Sequence, residues 1–298
     1  MSTLIQLLLR SLETGAIYAL ATLGIIIVFR TNFMINFGQG VMGMFGAYIV
    51  TVLFNKMGLP IVLAILVGLI AAIGVGFLVD FIIIRRTKHV TGTGKEIITL
   101  GLMMVFLGIT PMLFGVDPMR LPKVIENGAF SVGGANLSYN SLLNIVLGLG
   151  LTIGLFLLLQ KTKLGLAIRT TASSEKTARL MGVPTKWVTL FAWALALVLG
   201  TLSGAMIAPS TSVTVNLMDS VQVNAFIACV LGGFQTFYGP VIGAYIIAIA
   251  TNLLSYYVSS VWGTQILYIL VILQGILSSL KVQTSGSKMV HLLKERKL

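Results

Sequence analysis

Long apolar runs separated by short polar segments fill most of this chain. Five runs in its first part carry few charges, and each is close to the roughly 20 residues that a helix needs to cross a bilayer. They are Leu4–Phe29, Ile35–Phe54, Pro60–Ile84, Ile97–Phe114 and Ser141–Gln160. The pattern therefore predicts a membrane-spanning helix over each of these runs.

The region Trp187–Leu280 is a longer apolar stretch with a single charged residue, Asp219. Two crossings would use about 40 of its residues and strand the apolar remainder outside the bilayer. Four crossings need about 80 residues, so four fit if one of them is short or broken. The expected short one is Val221–Phe234, because Gly232–Gly233 ends it and Gly239–Pro240 begins the next helix.

These windows predict an all-α fold, a polytopic transmembrane bundle of about nine helices with a range of about eight to ten. We expect residues 1–298 to form a single membrane domain. Eight full spans plus one short or re-entrant segment would fit the same windows. Only 9% of the residues are charged and the mean hydropathy is +1.01, against roughly 25% charged residues in a soluble domain. The bilayer is therefore the expected surroundings of most of the chain.

Lys and Arg set the expected orientation, because cytoplasmic loops of membrane proteins are enriched in them. With the N-terminus outside and the C-terminus cytoplasmic, all but Arg10, Lys56, Arg120 and Lys123 of the 20 basic residues lie inside. The main cytoplasmic clusters are Arg85, Arg86, Lys88 and Lys95; Lys161, Lys163, Arg169, Lys176, Arg179 and Lys186; and Lys281, Lys288, Lys294, Arg296 and Lys297. The last group includes a basic cytoplasmic tail, 282–298. This arrangement explains the net charge of +12 better than nucleic-acid binding does.

Catalytic chemistry has little support in the sequence. Cys229 is the single cysteine, and the two histidines, His89 and His291, lie in polar flanks. No metal site or Ser/His/Asp triad can be assembled from them in the apolar body. The nucleotide-binding pattern G-x-x-x-x-G-K-[ST] is also absent. We therefore expect a chain that is no enzyme and binds no cofactor or metal.

Two carboxylates, Glu13 and Asp80, lie within the predicted spans, where a charged group is a candidate for a functional role. Glu13 would lie near the outer interface. Asp80 is near the end of the third span, where an ion pair with Arg85 or Arg86 is expected. So few buried carboxylates weaken the hypothesis of a proton-coupled carrier.

The polar segment 161–186 contains signals for a short helix of its own. Ser173 or Ser174 can cap the helix, Glu175 is an acid in its first turn, and Arg179 is a base in its last turn. Gly182 and Pro184 would end it. These signals predict a helix over Glu175–Met181, with Ala178 and Met181 on one face. Such a helix could lie on the lipid headgroups or dock a soluble partner that drives transport, and both interpretations fit the pattern.

Three motifs, in the same order and at similar spacing, resemble those of the branched-chain amino acid ABC transporter permease family. They are Asn36-Phe37-Gly38-Gln39-Gly40 with Gly46-Ala47-Tyr48; Gly165–Thr170 with Ala178–Val183; and Ala225-Phe226 with Val230–Gly233 and Gly239–Ala244. One departure is that the family commonly has His and then Gly-Glu around Gln39–Val41. A different substrate is expected if that polar pair contributes to selection.

The resemblance implies a permease subunit of an ATP-binding-cassette importer, in the cytoplasmic (inner) membrane of a prokaryote. It implies transport of branched-chain or related small amino acids, by alternating access that partner ATPases drive with ATP. The implied partners are a second homologous permease, two cytoplasmic ABC ATPases, an extracytoplasmic solute-binding protein and the lipid bilayer. Two alternatives stay open. One is the same architecture importing urea, short amides or another small neutral solute, and the other is a stand-alone secondary carrier or channel.

Polar residues at predicted helix breaks are the candidates for the substrate path: Asn32, Asn36, Gln39, Gln222, Asn224, Gln235 and Thr236. Broken helices expose backbone groups that can face a polar solute. Alternatively, these side chains only form hydrogen bonds with one another between helices. The candidates for ATPase coupling, within the cytoplasmic coupling loop 161–186, are Arg169, Glu175, Ala178, Arg179, Met181 and Gly182.

Overall fold

The computed structural model describes residues 2–87, 90–132, 134–259 and 261–275. Its α-helices are α1 (Ser2–Asn32), α2 (Gln39–Asn55), α3 (Ile61–Ile82), α4 (Gly92–Phe114), α5 (Tyr139–Lys161), α6 (Lys163–Ser173), α7 (Glu175–Leu180), α8 (Thr185–Ile207), α9 (Asp219–Gly232), α10 (Tyr238–Tyr257) and α11 (Gly263–Gly275). Single turns of 3-10 helix follow α3 and α8, at Ile84–Arg86 and Ala208–Ser210. The predicted basic tail 282–298 and the basic residues Lys88 and Lys281 lie outside the described residues.

The all-α prediction is confirmed. In the described ranges, six helices are long and apolar enough to cross a membrane: Thr3–Asn32, Ile61–Arg86, Gly92–Phe114, Tyr139–Lys161, Thr185–Ser210 and Tyr238–Tyr257. Three further apolar helices, α2, α9 and α11, are shorter. Together they agree with a bundle of about nine helices, and α9 is short as predicted, at 14 residues.

The prediction that the second span begins at Ile35 is wrong, because α2 begins only at Gln39. Residues 33–38 are unwound between α1 and α2. Phe33 has a φ of +53°, and it is the one non-glycine residue with positive φ in the described segments. A right-handed helix needs a negative φ at every residue, so α1 cannot continue through Phe33.

Residues 1–249 form one compact unit with α1 and α8 at its centre. The apolar windows of α1 and α8 are 78% and 72% buried, whereas those of α3, α4 and α5 are 22% to 28% buried. Helix α8 packs against α1, α2 and α3. The outer helices expose large apolar side chains such as Ile70 and Met112, which is the expected surface of a protein whose solvent is lipid.

Small residues allow α2 to pack closely against α8. A Cβ atom at Gly43 would lie 2.7 Å from the Gly200 carbonyl oxygen, and one at Gly46 would overlap the Thr201 hydroxyl. Close backbone approach of this kind is a major source of helix association in lipid, where apolar burial contributes little.

A short β-hairpin is a feature that the sequence pattern did not predict. Strands β1 (Ala129–Val132) and β2 (Ala135–Ser138) pair in antiparallel register, with Ala129 opposite Ser138. The hairpin is attached to α1, because the Asn136 N–H donates to Gln6 Oε1 at 2.7 Å and Gln6 Nε2 donates to the Asn136 carbonyl at 2.8 Å.

The second compact unit begins at Ala250, within α10. In its described residues it contains the end of α10 and the helix α11. The two helices approach closely here, since a Cβ at Gly263 would lie 2.7 Å from the Leu254 carbonyl carbon.

Candidate functional site

The unwound segment 33–38 lacks helical hydrogen bonds, and side chains of α4 accept hydrogen bonds from two of its N–H groups instead. The Phe37 N–H donates to Thr99 Oγ1 at 3.1 Å, and the Ile35 N–H donates to Glu96 Oε1 at 3.3 Å. The same Thr99 hydroxyl lies 3.3 Å from the Ile35 carbonyl oxygen, to which it can donate. Backbone polar groups at membrane depth need such partners, because lipid supplies none.

Asn36 and Gln39, two of the predicted path residues, are buried in contact with each other. The Asn36 Oδ1 atom accepts from the Gly38 N–H at 3.1 Å, and its Nδ2 donates to Gln39 Oε1 at 3.1 Å. The Gln39 Nε2 atom then donates to the Ala196 carbonyl of α8 at 2.7 Å. The two amides therefore join the unwound segment to the central helix.

Gln222 of α9 completes this cluster from the other side. Its Oε1 accepts from the Gly40 N–H at 2.6 Å, and its Nε2 donates to the Phe37 carbonyl at 2.5 Å. A Cβ at Gly40 would lie 2.7 Å from the Gln222 Cβ, so only glycine allows this approach. We call Asn36, Gln39 and Gln222 the amide junction; it joins the starts of α2 and α9 to α8.

Asn224 ties α9 to α1 rather than to α2. Its Nδ2 donates to the Tyr18 hydroxyl at 3.2 Å and to the Ser220 carbonyl at 2.8 Å. One turn further along α1, the Thr22 hydroxyl donates to the Ala225 carbonyl at 3.5 Å. Helix α9 thus runs beside α1 through neutral polar contacts.

Asn32, Gln235 and Thr236 make other contacts. The Asn32 amide donates to Thr31 Oγ1 at 2.9 Å, at the end of α1. The Gln235 carbonyl accepts from Arg30 Nη1 at 2.6 Å, and the Thr236 hydroxyl accepts from the Gly239 N–H at 3.2 Å, near the start of α10. For Gln39 and Gln222, the structure has the interhelical hydrogen bonds that were the alternative to lining a path, and Asn36 bonds locally to Gly38 and Gln39.

The coupling loop 161–186 contains two helices, of which the sequence pattern predicted one. Helix α7 (Glu175–Leu180) matches the predicted Glu175–Met181, and the Ser174 Oγ caps it by accepting from the Thr177 N–H at 3.2 Å. Gly182, with φ +78°, ends it. The predicted shared face is wrong: Ala178 is fully buried, whereas Met181 follows the last helical residue and is 62% exposed.

Helix α6 (Lys163–Ser173) was missed. The Thr162 hydroxyl caps it by accepting from the Gly165 N–H at 3.1 Å. Its buried residues are Gly165, Ile168, Thr171 and Ala172, at helical spacing. This face contains mostly small or polar residues, so the spacing gives a weak apolar signal, and the Thr162 cap was the available clue.

Arg179 connects α7 to the central helix. It pairs with Glu175 within α7, and its Nε donates to the Thr185 hydroxyl at the start of α8 at 3.0 Å. Arg169 in α6 donates from Nη2 to the Gln160 carbonyl at 3.3 Å. Movement of α7 would therefore be transmitted to α8 through a direct contact.

Glu13 and Asp80, the two carboxylates within the predicted spans, both have hydrogen-bond partners. Asp80 Oδ2 lies 2.8 Å from Arg85 Nε, which confirms the expected ion pair at the end of α3. Glu13 Oε1 accepts from Asn144 Nδ2 at 2.7 Å, which joins α1 to α5. Clusters of three or more His, Cys, Asp or Glu residues that could hold a metal ion are absent from the described residues.

A bundle of apolar helices with interrupted helices meeting at neutral amides has the architecture of a multi-pass membrane permease. Residues 7–275 match the family model described as branched-chain amino acid transport system / permease component, and this chain belongs to that family. The resemblance inferred from the three motifs is thereby confirmed. The family consists of transporters and not of enzymes.

Several relatives are similar to this chain over most of their length. The chain is 28% identical to the probable branched-chain amino acid transport permease protein LivH of Methanocaldococcus jannaschii over 266 residues, 85% of this chain and 83% of the relative. It is 28% identical to the high-affinity branched-chain amino acid transport system permease protein BraD of Pseudomonas aeruginosa, covering 83% and 84%. It is 25% identical to the corresponding LivH protein of Escherichia coli K12, covering 90% and 92%. No solved structure matches this chain.

Proposed function

We propose that this chain is the permease subunit of an ATP-driven importer for branched-chain or related small amino acids. Its family and the names of its relatives support the substrate class. The proposed partners are two cytoplasmic ABC ATPases, an extracytoplasmic solute-binding protein and a second, homologous permease. ATP would be used by the ATPases, and this chain would need no cofactor. In the inner membrane its N-terminus would be outside and its C-terminus cytoplasmic.

The observation that carries the proposal is the direct contact between α7 and α8. In the proposed cycle, the ATPases dock on α6 and α7, and closure of the ATPase dimer displaces α7. Since Arg179 bonds Thr185, the displacement reaches α8. Helix α8 holds the amide junction through the Ala196 carbonyl and Gln39. A shift of α8 would therefore loosen the starts of α2 and α9 and open or close the central path.

The amide junction suits a small zwitterionic substrate in this proposal. Asn36, Gln39 and Gln222 offer neutral donors and acceptors and no charge, so a substrate would meet polar groups without forming a lasting ion pair. When α2 and α9 separate, the same groups would be released toward the path. Weak, neutral contacts of this kind favour passage, and substrate selection would rest mainly on the binding protein.

Co-purification tests the coupling part of the proposal. We expect the ATPases of the same transport system to co-purify with this chain. Replacing Ser173–Val183 with an equally long Gly-Ser linker should abolish that association. The matched control replaces Ala129–Ser138, which forms the hairpin far from α7 in the sequence, and should leave the association intact. Retained association in the first variant would contradict docking on α7.

Reconstitution tests the class of transporter. Uptake into liposomes should require ATP, the ATPases and the binding protein together. Flux through the purified chain alone, without ATP, would instead indicate a stand-alone carrier or channel. The ligand of the binding protein then separates amino acids from urea and short amides, because that protein delivers the substrate.

A further inference from the structure

A cavity of about 280 Å³ lies where α1 and α3 end and where α4 and α8 begin. Helix α7 contributes to its wall. Three lysines from three different elements line it: Lys95 of α4, Lys176 of α7 and Lys186 of α8. The cavity therefore lies among helix ends that the sequence brings together from distant positions, at the end of the molecule that carries many of its basic residues.

The charges that the described residues contribute to this cavity do not balance. Of these residues, the two acids are paired, Asp80 with Arg85 and Glu175 with Arg179. Within the ranges that the structure describes, no carboxylate lies within 4.0 Å of a Lys95, Lys176 or Lys186 ammonium group. Three ammonium groups around one small cavity repel one another, and an anion would offset that repulsion.

Exposed apolar side chains lie close in sequence to the lining residues on three helices. Phe81, Ile97 and Trp187 are 60%, 64% and 68% exposed. Each lies within two residues of a lining residue, on α3, α4 and α8 respectively. The Arg85 guanidinium carbon is 5.6 Å from the centre of the Phe81 ring, so charged and apolar groups are in direct contact at the rim.

We propose that this cavity binds the phosphate headgroup of an anionic phospholipid. The lysine ammonium groups would bind the phosphate oxygens by charge-assisted hydrogen bonds. The acyl chains would lie along Phe81, Ile97 and Trp187. Basic pockets between helix ends on the cytoplasmic side of membrane proteins bind anionic headgroups in this manner, and exposed tryptophan is enriched at the same depth.

The bound lipid would have a mechanical consequence. Lys176 and the Glu175–Arg179 pair belong to α7, whereas Lys95 and Lys186 belong to α4 and α8. One headgroup would thus bridge the short helix α7 to two longer helices and restrict its movement. Binding of the lipid does not depend on which solute is transported, so the proposal can be tested without a transport assay.

An acidic group from a docked protein could also enter a basic cavity. The apolar rim favours the lipid, because a protein loop that arrives from the aqueous side gains nothing from exposed Phe81 and Ile97. The lipid interpretation also accounts for the exposure of these side chains beside lysines. The experiment therefore includes protein docking as an outcome that would overturn the proposal.

Thermal unfolding of the full-length protein in a neutral detergent tests the site. Short-chain phosphatidylglycerol should raise the melting temperature, whereas phosphatidylcholine and inorganic phosphate should not. In K95Q/K186Q the phosphatidylglycerol affinity should fall about 30-fold, which corresponds to about 2 kcal/mol, roughly one per lysine. The matched control K56Q/K123Q removes the same charge from exposed lysines outside the cavity and outside the coupling loop and should behave as the unmodified protein does.

A second variant separates loss of the lipid site from a general loss of stability. K95R/K186R keeps both charges and should retain the response to phosphatidylglycerol, even if K95Q/K186Q proves less stable. An equal response of K95Q/K186Q and K56Q/K123Q to phosphatidylglycerol would overturn the site. An equal effect of inorganic phosphate would overturn its assignment to a lipid. Loss of ATPase co-purification in K95Q/K186Q, with the lipid response unchanged, would show that the cavity receives an acidic protein group instead.

Discussion

Gly40→Ala tests the amide junction more directly than any change to its polar side chains. The new methyl group would lie 2.7 Å from the Gln222 Cβ, which is too close for two carbon atoms, so Gln222 must move. Its bonds to the Gly40 N–H, at 2.6 Å, and to the Phe37 carbonyl, at 2.5 Å, would both be lost. Gly40 does not have a positive φ, so the backbone itself accommodates alanine.

The expected cost of Gly40→Ala follows from these two bonds. Each contributes about 0.5–1.5 kcal/mol, or roughly 1–3 kcal/mol together. Alanine recovers up to about 1 kcal/mol because it favours the helix more than glycine does. From the middle of that range, about 2 kcal/mol, this leaves a net loss of about 1–2 kcal/mol, and for a chain of this size that lowers the melting temperature by about 2–8 °C.

Gly101→Ala is the matched control for this experiment. Gly101 lies in α4 with no atom within 4 Å of the position that its Cβ would take. The same substitution there should leave the protein unchanged or stabilise it by up to about 1 kcal/mol. Differential scanning fluorimetry in detergent can resolve this difference in sign.

A double variant identifies the cause of the loss. Gln222→Gly alone should cost more than Gly40→Ala, because it removes the same two bonds and also places a glycine within α9. The combination G40A/Q222G should be no less stable than Q222G, since the Cβ that causes the overlap is then gone. The reasoning would be refuted by G40A behaving as G101A does, or by additive losses in G40A/Q222G.

Three further outcomes are expected. Arg179→Gln should change the melting temperature little, because its pair with Glu175 is exposed, but should lower ATP-driven uptake at least about tenfold. Uptake unchanged from that of the control K123Q, at an exposed lysine outside α6 and α7, would contradict transmission through Thr185. Phe33→Gly should stabilise the protein by about 1 kcal/mol in chemical unfolding, because it relieves the left-handed backbone; a destabilised variant would show that the Phe33 side chain matters more. Cys229, fully buried, should react with a maleimide only after denaturation, and rapid labelling of the folded protein would show that α9 opens.

The helices that cross the membrane could be predicted from the sequence because lipid imposes one simple requirement. A window such as Ile97–Phe114 must be apolar over its whole length, and no soluble helix needs that. The short α9 could be predicted for a related reason: Gly232–Gly233 and Gly239–Pro240 interrupt an apolar region at fixed points. Helix α7 was predictable from its cap and charges, which act within a single turn.

The unwound segment and the amide junction could not be predicted, because both depend on contacts between residues that are far apart in the sequence. Ile35 and Phe37 are apolar and fit a helix, yet they are unwound, and their N–H groups donate to Glu96 and Thr99 of α4 instead. The partner of Gly40 is 182 residues away, on α9. Asn36, Gln39 and Gln222 were each candidates, but nothing local indicates that they bind one another.

The burial of both α1 and α8 has a consequence for how the chain is made. Helix α1 is synthesised before α8, yet its buried face packs on α8, and its Ile17 carbonyl accepts a hydrogen bond from the Ser203 hydroxyl. About 150 residues separate the two helices, so at roughly 5–20 residues per second α1 waits on the order of ten to thirty seconds for its neighbour. During that interval its buried face meets only lipid, the insertion machinery or a chaperone. Slow synthesis or a truncated chain would therefore leave a nascent protein exposed to membrane quality control, before any transport step is possible.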